Sequence, residues 1–103
     1  MAGGGPAGCA AATVLARGGH RVVLLCPESP PAGALAESVP PSAHPILTEL
    51  GFLDAIRAGR FHPNRGNTVW WAGSEPSVEA FPEDRPGLHT ARARMESVLR
   101  GAA

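Results

Sequence analysis

The sequence predicts an α/β chain, and three observations predict it. Residues 3–8 read Gly-Gly-Gly-Pro-Ala-Gly, a G-x-G-x-x-G spacing. Cys9 to Arg17 follows as an alanine-rich, helix-forming run that Gly18-Gly19 stops. Val22-Val23-Leu24-Leu25 then gives four consecutive apolar residues, as expected of a parallel strand covered on both faces. Glycine turn, helix, glycine stop and apolar strand are the helix and second strand of a Rossmann-like β-α-β unit, the kind that binds dinucleotides.

That unit needs an apolar strand in front of its glycines, and only Met1 and Ala2 stand there. The expected fold is therefore a partial Rossmann-like domain lacking its first strand, with a small antiparallel β-hairpin and a C-terminal helix. The 103 residues make one domain at most. A hydrophobic share of 44% is enough for a core, whereas 13 glycines and 11 prolines call for much loop. Basic and acidic residues balance at nine each, so no basic surface points to nucleic acid. No apolar run reaches the about 18 residues a membrane helix needs. Two cysteines, Cys9 and Cys26, are too few to frame a secreted disulfide scaffold. They read as reduced, mostly buried thiols in a cytoplasmic protein. The four histidines are scattered without metal-ligand spacing, so no metal site is expected. No grouping of nucleophile and base makes a catalytic residue assignable in this stretch.

The elements are justified in chain order. Residues 6–17 form the first helix, with Pro6 in the first turn and Ala10, Ala11, Val14 and Leu15 as its buried stripe. A strand covers 21–26. Residues 27–41 read as loop, because Pro27, Pro30, Pro31, Gly33, Pro40 and Pro41 forbid a regular helix. Ser42 is the N-cap of a helix carrying Ile46, Leu47 and Leu50, which Gly51 ends. A short helical stretch with Phe52, Leu53 and Ile56 closes at Gly59. Residues 61–67 read as polar turn. Thr68 to Ala72 and Ser77 to Phe81 form a hairpin around Gly73-Ser74, with one of Trp70 and Trp71 expected in the core and the other facing a ligand or a missing domain. Residues 82–87 are loop, and Thr90 caps a last helix that buries Met95, Val98 and Leu99.

The glycine spacing carries the site chemistry. Gly3 allows the tight turn, Gly5 lets a pyrophosphate reach the backbone, and Gly8 permits close packing of the helix. Pro6 and Ala7 lie in the first turn, whose N–H groups and partial positive charge face the phosphates. An acid at the end of the second strand ordinarily accepts from the adenosine ribose. Eighteen residues past Gly8 stands Cys26, and a thiol cannot replace a carboxylate there. Glu28, two residues on, either serves the ribose or is a solvated loop acid.

With these residues in view, the chain resembles the N-terminal part of class A flavoprotein monooxygenases and of tryptophan-halogenase-like, FAD-dependent oxidoreductases. The resemblance rests on three blocks. Gly3 to Leu25 is similar to the family's FAD fingerprint, in which Gly-Gly-Gly-Pro-Ala-Gly favours FAD over NAD. Glu37-Ser38-Val39-Pro40-Pro41, followed by Glu49-Leu50-Gly51-Phe52, resembles the family's Gly-Glu-Ser block, with Ala36 in place of the glycine. Leu88 to Leu99 is similar to its R-x-x-apolar-x-x-x-L helix, which implies that Arg92 contacts the FAD phosphate and ribose region. Glu37 and Ser38 are then expected on a cofactor-facing loop.

The resemblance implies FAD as cofactor, NAD(P)H as reductant of the full-length enzyme, and a small organic substrate that is hydroxylated or halogenated. Charge balance and apolar patterning lead to the expectation of no nucleic-acid or membrane partner. The family's Gly-Asp motif and Trp-x-Trp-x-Ile-Pro motif do not occur in the chain, and Trp70-Trp71 is not the latter. Residues 1–103 are accordingly expected to be an incomplete FAD/NAD(P)-binding domain that is not catalytic by itself. The alternative is a stand-alone nucleotide-binding or interaction module, or a decayed gene product.

Overall fold

The computed structural model describes residues 2–27 and 36–103. Its elements are α1 (Pro6–Arg17), β1 (Ala36–Val39), a 3₁₀ turn (Pro41–Ala43), α2 (His44–Glu49), α3 (Leu53–Ala58), β2 (His62–Asn64), β3 (Gly66–Val69), β4 (Ser77–Ala80), β5 (Gly87–Ala91) and α4 (Arg92–Ala102). Two antiparallel sheets result. One has the order β1-β5-β2, and the other is the β3-β4 hairpin.

The core lies among α1, α3 and α4. Cys9, Phe52, Ile56, Met95 and Leu99 are buried together, with Leu24, Leu47, Phe61 and Val98 packed against them. The last helix thus buries the face its sequence predicts. Helix ends also follow local rules. Gly19 (φ +84°) and Gly51 (φ +76°) take left-handed backbone just past α1 and α2, a conformation that costs glycine nothing. The Arg17 guanidinium donates to the carbonyls of Glu49 (2.7 Å) and Leu50 (2.8 Å), so a side chain at the end of α1 caps the end of α2.

Several expectations are corrected. Residues 21–26 do not form a strand. Among the described residues, Leu25 makes an isolated parallel bridge to Ala2, and the Gly3 N–H donates to the Leu25 carbonyl at 2.8 Å. A strand exists only where a neighbour extends the ladder, and here one residue does so. Only one side of this segment is covered: Val22 and Leu24 are half-buried, whereas Val23 and Leu25 are exposed.

Helix α1 buries Cys9, Ala12 and Thr13 rather than the predicted stripe. Val14 and Leu15 face outward, because α4 and Leu24 select the buried face. Residues 36–39 are strand rather than loop, and Pro40 merely ends them. The loop expected over 28–35 lies outside the described residues.

The polar turn expected over 61–67 contains β2 and the start of β3. Pro63 is tolerated because β2 is an edge strand, bonded to β5 alone. Thr90 is the largest surprise. It sits in β5, the central strand of its sheet, and its hydroxyl donates to the Ala91 carbonyl (3.0 Å) rather than capping a helix. Ala91 occupies the N-cap of α4, and Ala43 that of α2 in place of Ser42, both without a side-chain bond.

The predicted hairpin forms, but its strands are shorter than expected. Trp70 and Trp71 fall in the connection after β3, and both are exposed, at 63% and 85%. Neither joins the core, since β3 and β4 pair with each other and present all but Gly66 to solvent.

Candidate functional site

The glycine turn is built by three different constraints. Gly3 has φ +115°, which side chains other than hydrogen rarely allow. Gly8 packs directly beneath it: a Cβ there would stand 1.7 Å from the Gly3 carbonyl oxygen. Gly4 is buried against Cys26 and Arg100, where a Cβ would lie 2.5 Å from the Cys26 Cβ. Gly5 differs from all three. It is the N-cap of α1, and a Cβ there would meet only a carboxylate oxygen of Glu96, at an ordinary 3.5 Å.

Helix α1 therefore opens on a bare backbone. Its first bond runs from the Cys9 N–H to the Gly5 carbonyl (3.0 Å), and Pro6 and Ala7 are exposed in the turn before it. The first-turn N–H groups have no acceptor within the helix and present a partial positive charge at that end.

Polar residues of α4 line this opening. Arg92 is the first residue of α4, and its Nε donates to Glu96 Oε1 at 2.9 Å. Its Nη1 lies 3.5 Å from Glu37 Oε1 on β1. One turn further along, Arg100 Nη1 lies 3.8 Å from the other Glu96 oxygen. The Glu96 bond, then the charges of Glu37 and Glu96, push the Arg92 guanidinium above its ordinary value, so it is a cation at every accessible pH.

A chain of contacts thus leads away from the start of α1: Glu96 meets Gly5, Arg92 meets Glu96, and Glu37 meets Arg92. Ser38 follows Glu37 on β1, so the two side chains point to opposite faces of the strand. Its hydroxyl meets His89 Nδ1 at 2.9 Å. Glu37 and Ser38 lie on a strand rather than a loop. Glu28 falls outside the described residues.

Gly4, Glu96 and Arg100 are absent from the residues the sequence singles out. The signal for two of them was present, since Arg92, Glu96 and Arg100 recur every four residues and so share one helix face. Arg94 leaves that face, donating to the Gly59 carbonyl and stacking over the Phe61 ring at 5.3 Å.

The two cysteines differ. Cys9 is fully buried under the turn, its thiol 3.6 Å from the Gly4 carbonyl oxygen, and burial pushes its pKa up. Cys26 is exposed. Native chain treated with iodoacetamide is expected to label at Cys26 and not at Cys9, read by peptide mass. Equal labelling would contradict this packing. A raised thiol pKa favours the fold below the unfolded thiol's value, and that contribution is lost as pH climbs through the folded value. Stability should therefore decline past about pH 8.5, and Cys9→Ala should flatten the decline in a melting series.

A cavity of about 230 Å³ lies elsewhere, lined by His44, Ile56, Arg60, Phe61 and Leu88 among others, and no residue of the glycine turn borders it. Among the described residues no cluster of metal-ligating side chains exists. No helix among them is long and apolar enough to cross a membrane.

The chain is similar to known proteins in sequence and in fold. No family model matches the chain. It is 40% identical over 73 residues to a tryptophan 2-halogenase of Chondromyces crocatus, a match covering 71% of this chain and 14% of that protein. It is 44% identical over 64 residues to a flavin-dependent halogenase of Armillaria mellea, covering 62% of this chain and 13% of the relative. A flavoprotein/dehydrogenase from Cytophaga hutchinsonii superposes with a TM-score of 0.78 at 27% identity, over 97% of this chain and 26% of its own. The chain spans less than a fifth of the length of the curated relatives it matches. The chain is thus similar to flavin-dependent halogenases over a limited part of their length, and its mixed α/β fold matches part of a flavoprotein.

Proposed function

We propose that this chain binds FAD through the pyrophosphate and adenosine side of the cofactor, as the dinucleotide-binding part of a flavin-dependent oxidoreductase of the monooxygenase or halogenase-like class. The observation that carries the reading is the opening of α1 at Gly5, with Arg92 joined to it through Glu96. Gly5 presents no side chain, and the space where a Cβ would sit is bordered only by the movable end of Glu96, at 3.5 Å. A pyrophosphate can approach that backbone, accept from the first-turn N–H groups and meet a permanent cation. The donor set suits a phosphate, which supports the fit. The parallel bridge of Ala2 to Leu25 beside the turn supports the Rossmann-like reading of this region.

FAD, when bound, supplies the oxygen and redox chemistry. This chain's residues bind and orient it: Gly3 shapes the turn, Gly5 and the first turn of α1 hold phosphate oxygens, and Arg92 balances their charge. Glu37 fixes Arg92 from the β1 side. A small organic substrate, NAD(P)H as reductant and a cytoplasmic setting complete the proposal for the whole enzyme, whose activity is not expected of this stretch alone.

The test is a titration of the chain into FAD, followed by flavin fluorescence, beside riboflavin and NADPH. FAD is expected to bind weakly and saturably, and riboflavin, which lacks the pyrophosphate and adenosine, not to bind. Equal binding of riboflavin, or a preference for NADPH, would overturn the reading.

A further inference from the structure

The carboxylate of Glu96 sits where an anion belongs. One oxygen accepts from Arg92 Nε at 2.9 Å, and the other lies 3.8 Å from Arg100 Nη1. The first oxygen also lies in ordinary contact with the position a Gly5 Cβ would take, at the mouth of α1. The Glu96 side chain is only 13% exposed, less than either arginine it joins. Two guanidiniums and a helix N-terminus around one carboxylate form a phosphate's surroundings with a side chain in the phosphate's place.

We propose that Glu96 is an internal counter-anion occupying the pyrophosphate position, and that Arg100 is the site's second phosphate-binding guanidinium, masked by Glu96 until ligand arrives. This rests on the reading of the glycine turn as an FAD pyrophosphate site and adds which residues set its affinity. A pyrophosphate docked against Gly5 brings like charge onto the Glu96 carboxylate, which turns aside. That movement releases Arg92 Nε and Arg100 Nη1 to the incoming oxygens. Arg100 is placed for this, since its stem lies 3.1 Å from where a Gly4 Cβ would stand. The site is therefore charge-neutral when empty, with Glu37 and Glu96 against Arg92 and Arg100, and gains its cationic character only as Glu96 leaves.

The test measures dissociation constants of FAD, inorganic pyrophosphate and adenosine by calorimetry for the unmodified chain, Glu96→Gln, Glu96→Asp and Glu96→Gln/Arg100→Gln. Glu96→Gln removes the charge at constant shape and is expected to tighten FAD and pyrophosphate by about five- to tenfold, leaving adenosine unchanged. Glu96→Asp keeps the charge and is expected to keep the weak affinity. Adding Arg100→Gln should abolish the gain. A residue that merely held α4 in place would move all three ligands together. Should Glu96→Gln lose its circular-dichroism spectrum, Glu96→Ser carries the same comparison. FAD binding to the unmodified chain without tightening in the charge-free variant overturns this inference and leaves the FAD reading standing. Failure of both proteins to bind FAD and pyrophosphate overturns the two together.

Discussion

Gly8→Ala is expected to cost the fold at least about 3 kcal/mol, with a fall in melting temperature of roughly 12–24 °C. The new Cβ would stand 1.7 Å from the Gly3 carbonyl oxygen and 3.5 Å from Leu24. Backbone, unlike the far end of a side chain, cannot swing away. Either the Gly3 turn opens or α1 lifts off it, and both movements disturb Cys9 in the core. Gly5→Ala is the matched control. Its Cβ meets nothing closer than Glu96 at 3.5 Å, so the melting temperature should fall far less while FAD binding is lost to the methyl group in the phosphate's path. Thermal denaturation of the three proteins, with a FAD titration of those that fold, separates the two roles. A Gly8→Ala chain that melts like the unmodified one would mean that the helix does not pack on the turn as described.

Arg92→Met is expected to weaken FAD binding by about ten- to a hundredfold with little change in stability. Methionine keeps an apolar stem and discards the charge. The ion pairs lost, to Glu37 and Glu96, involve a guanidinium that is 55% exposed, and such pairs contribute little to folding. Arg92→Lys should restore part of the affinity, because an ammonium supplies charge without the planar fork that serves two oxygens at once. Calorimetric titration with FAD at two salt concentrations checks this, and the unmodified chain should show the steeper salt dependence. Unchanged affinity in Arg92→Met would remove Arg92 from the site.

What the sequence made legible was local. The glycine turn, the stop after α1 and the end of α2 depend on residues a few positions apart, and Gly3, Gly19 and Gly51 all adopt left-handed backbone. The buried face of α4 was legible for the same reason. The three-stranded sheet was not. It pairs Ser38 with His89, 51 residues away, through strands of three to five residues next to prolines that argue for loop. Such short strands acquire their state from partners rather than from their own pattern. Trp70 and Trp71 failed differently. Two large apolar residues in a β-prone run imply burial of one, but whether burial occurs depends on what packs against the hairpin. For the proposed site, spacing and resemblance singled out Gly3, Gly5, Gly8 and Arg92. Glu96 and Arg100 needed the approach of α4 to the glycine turn, which no local pattern encodes.

Arg17 bears on how this site can respond at all. Its guanidinium grips two carbonyls at the end of α2, while the other end of the same helix is wedged by Gly8 under Gly3. Helix α1 is thus a beam clamped at both supports. It cannot slide along its axis or pivot toward a ligand without breaking one clamp. Under the proposed function, accommodation of a phosphate therefore falls to side chains of the neighbouring α4, Glu96 above all, rather than to a domain-scale rearrangement. Association should accordingly proceed as a single fast step, without the slow phase that a moving helix would impose.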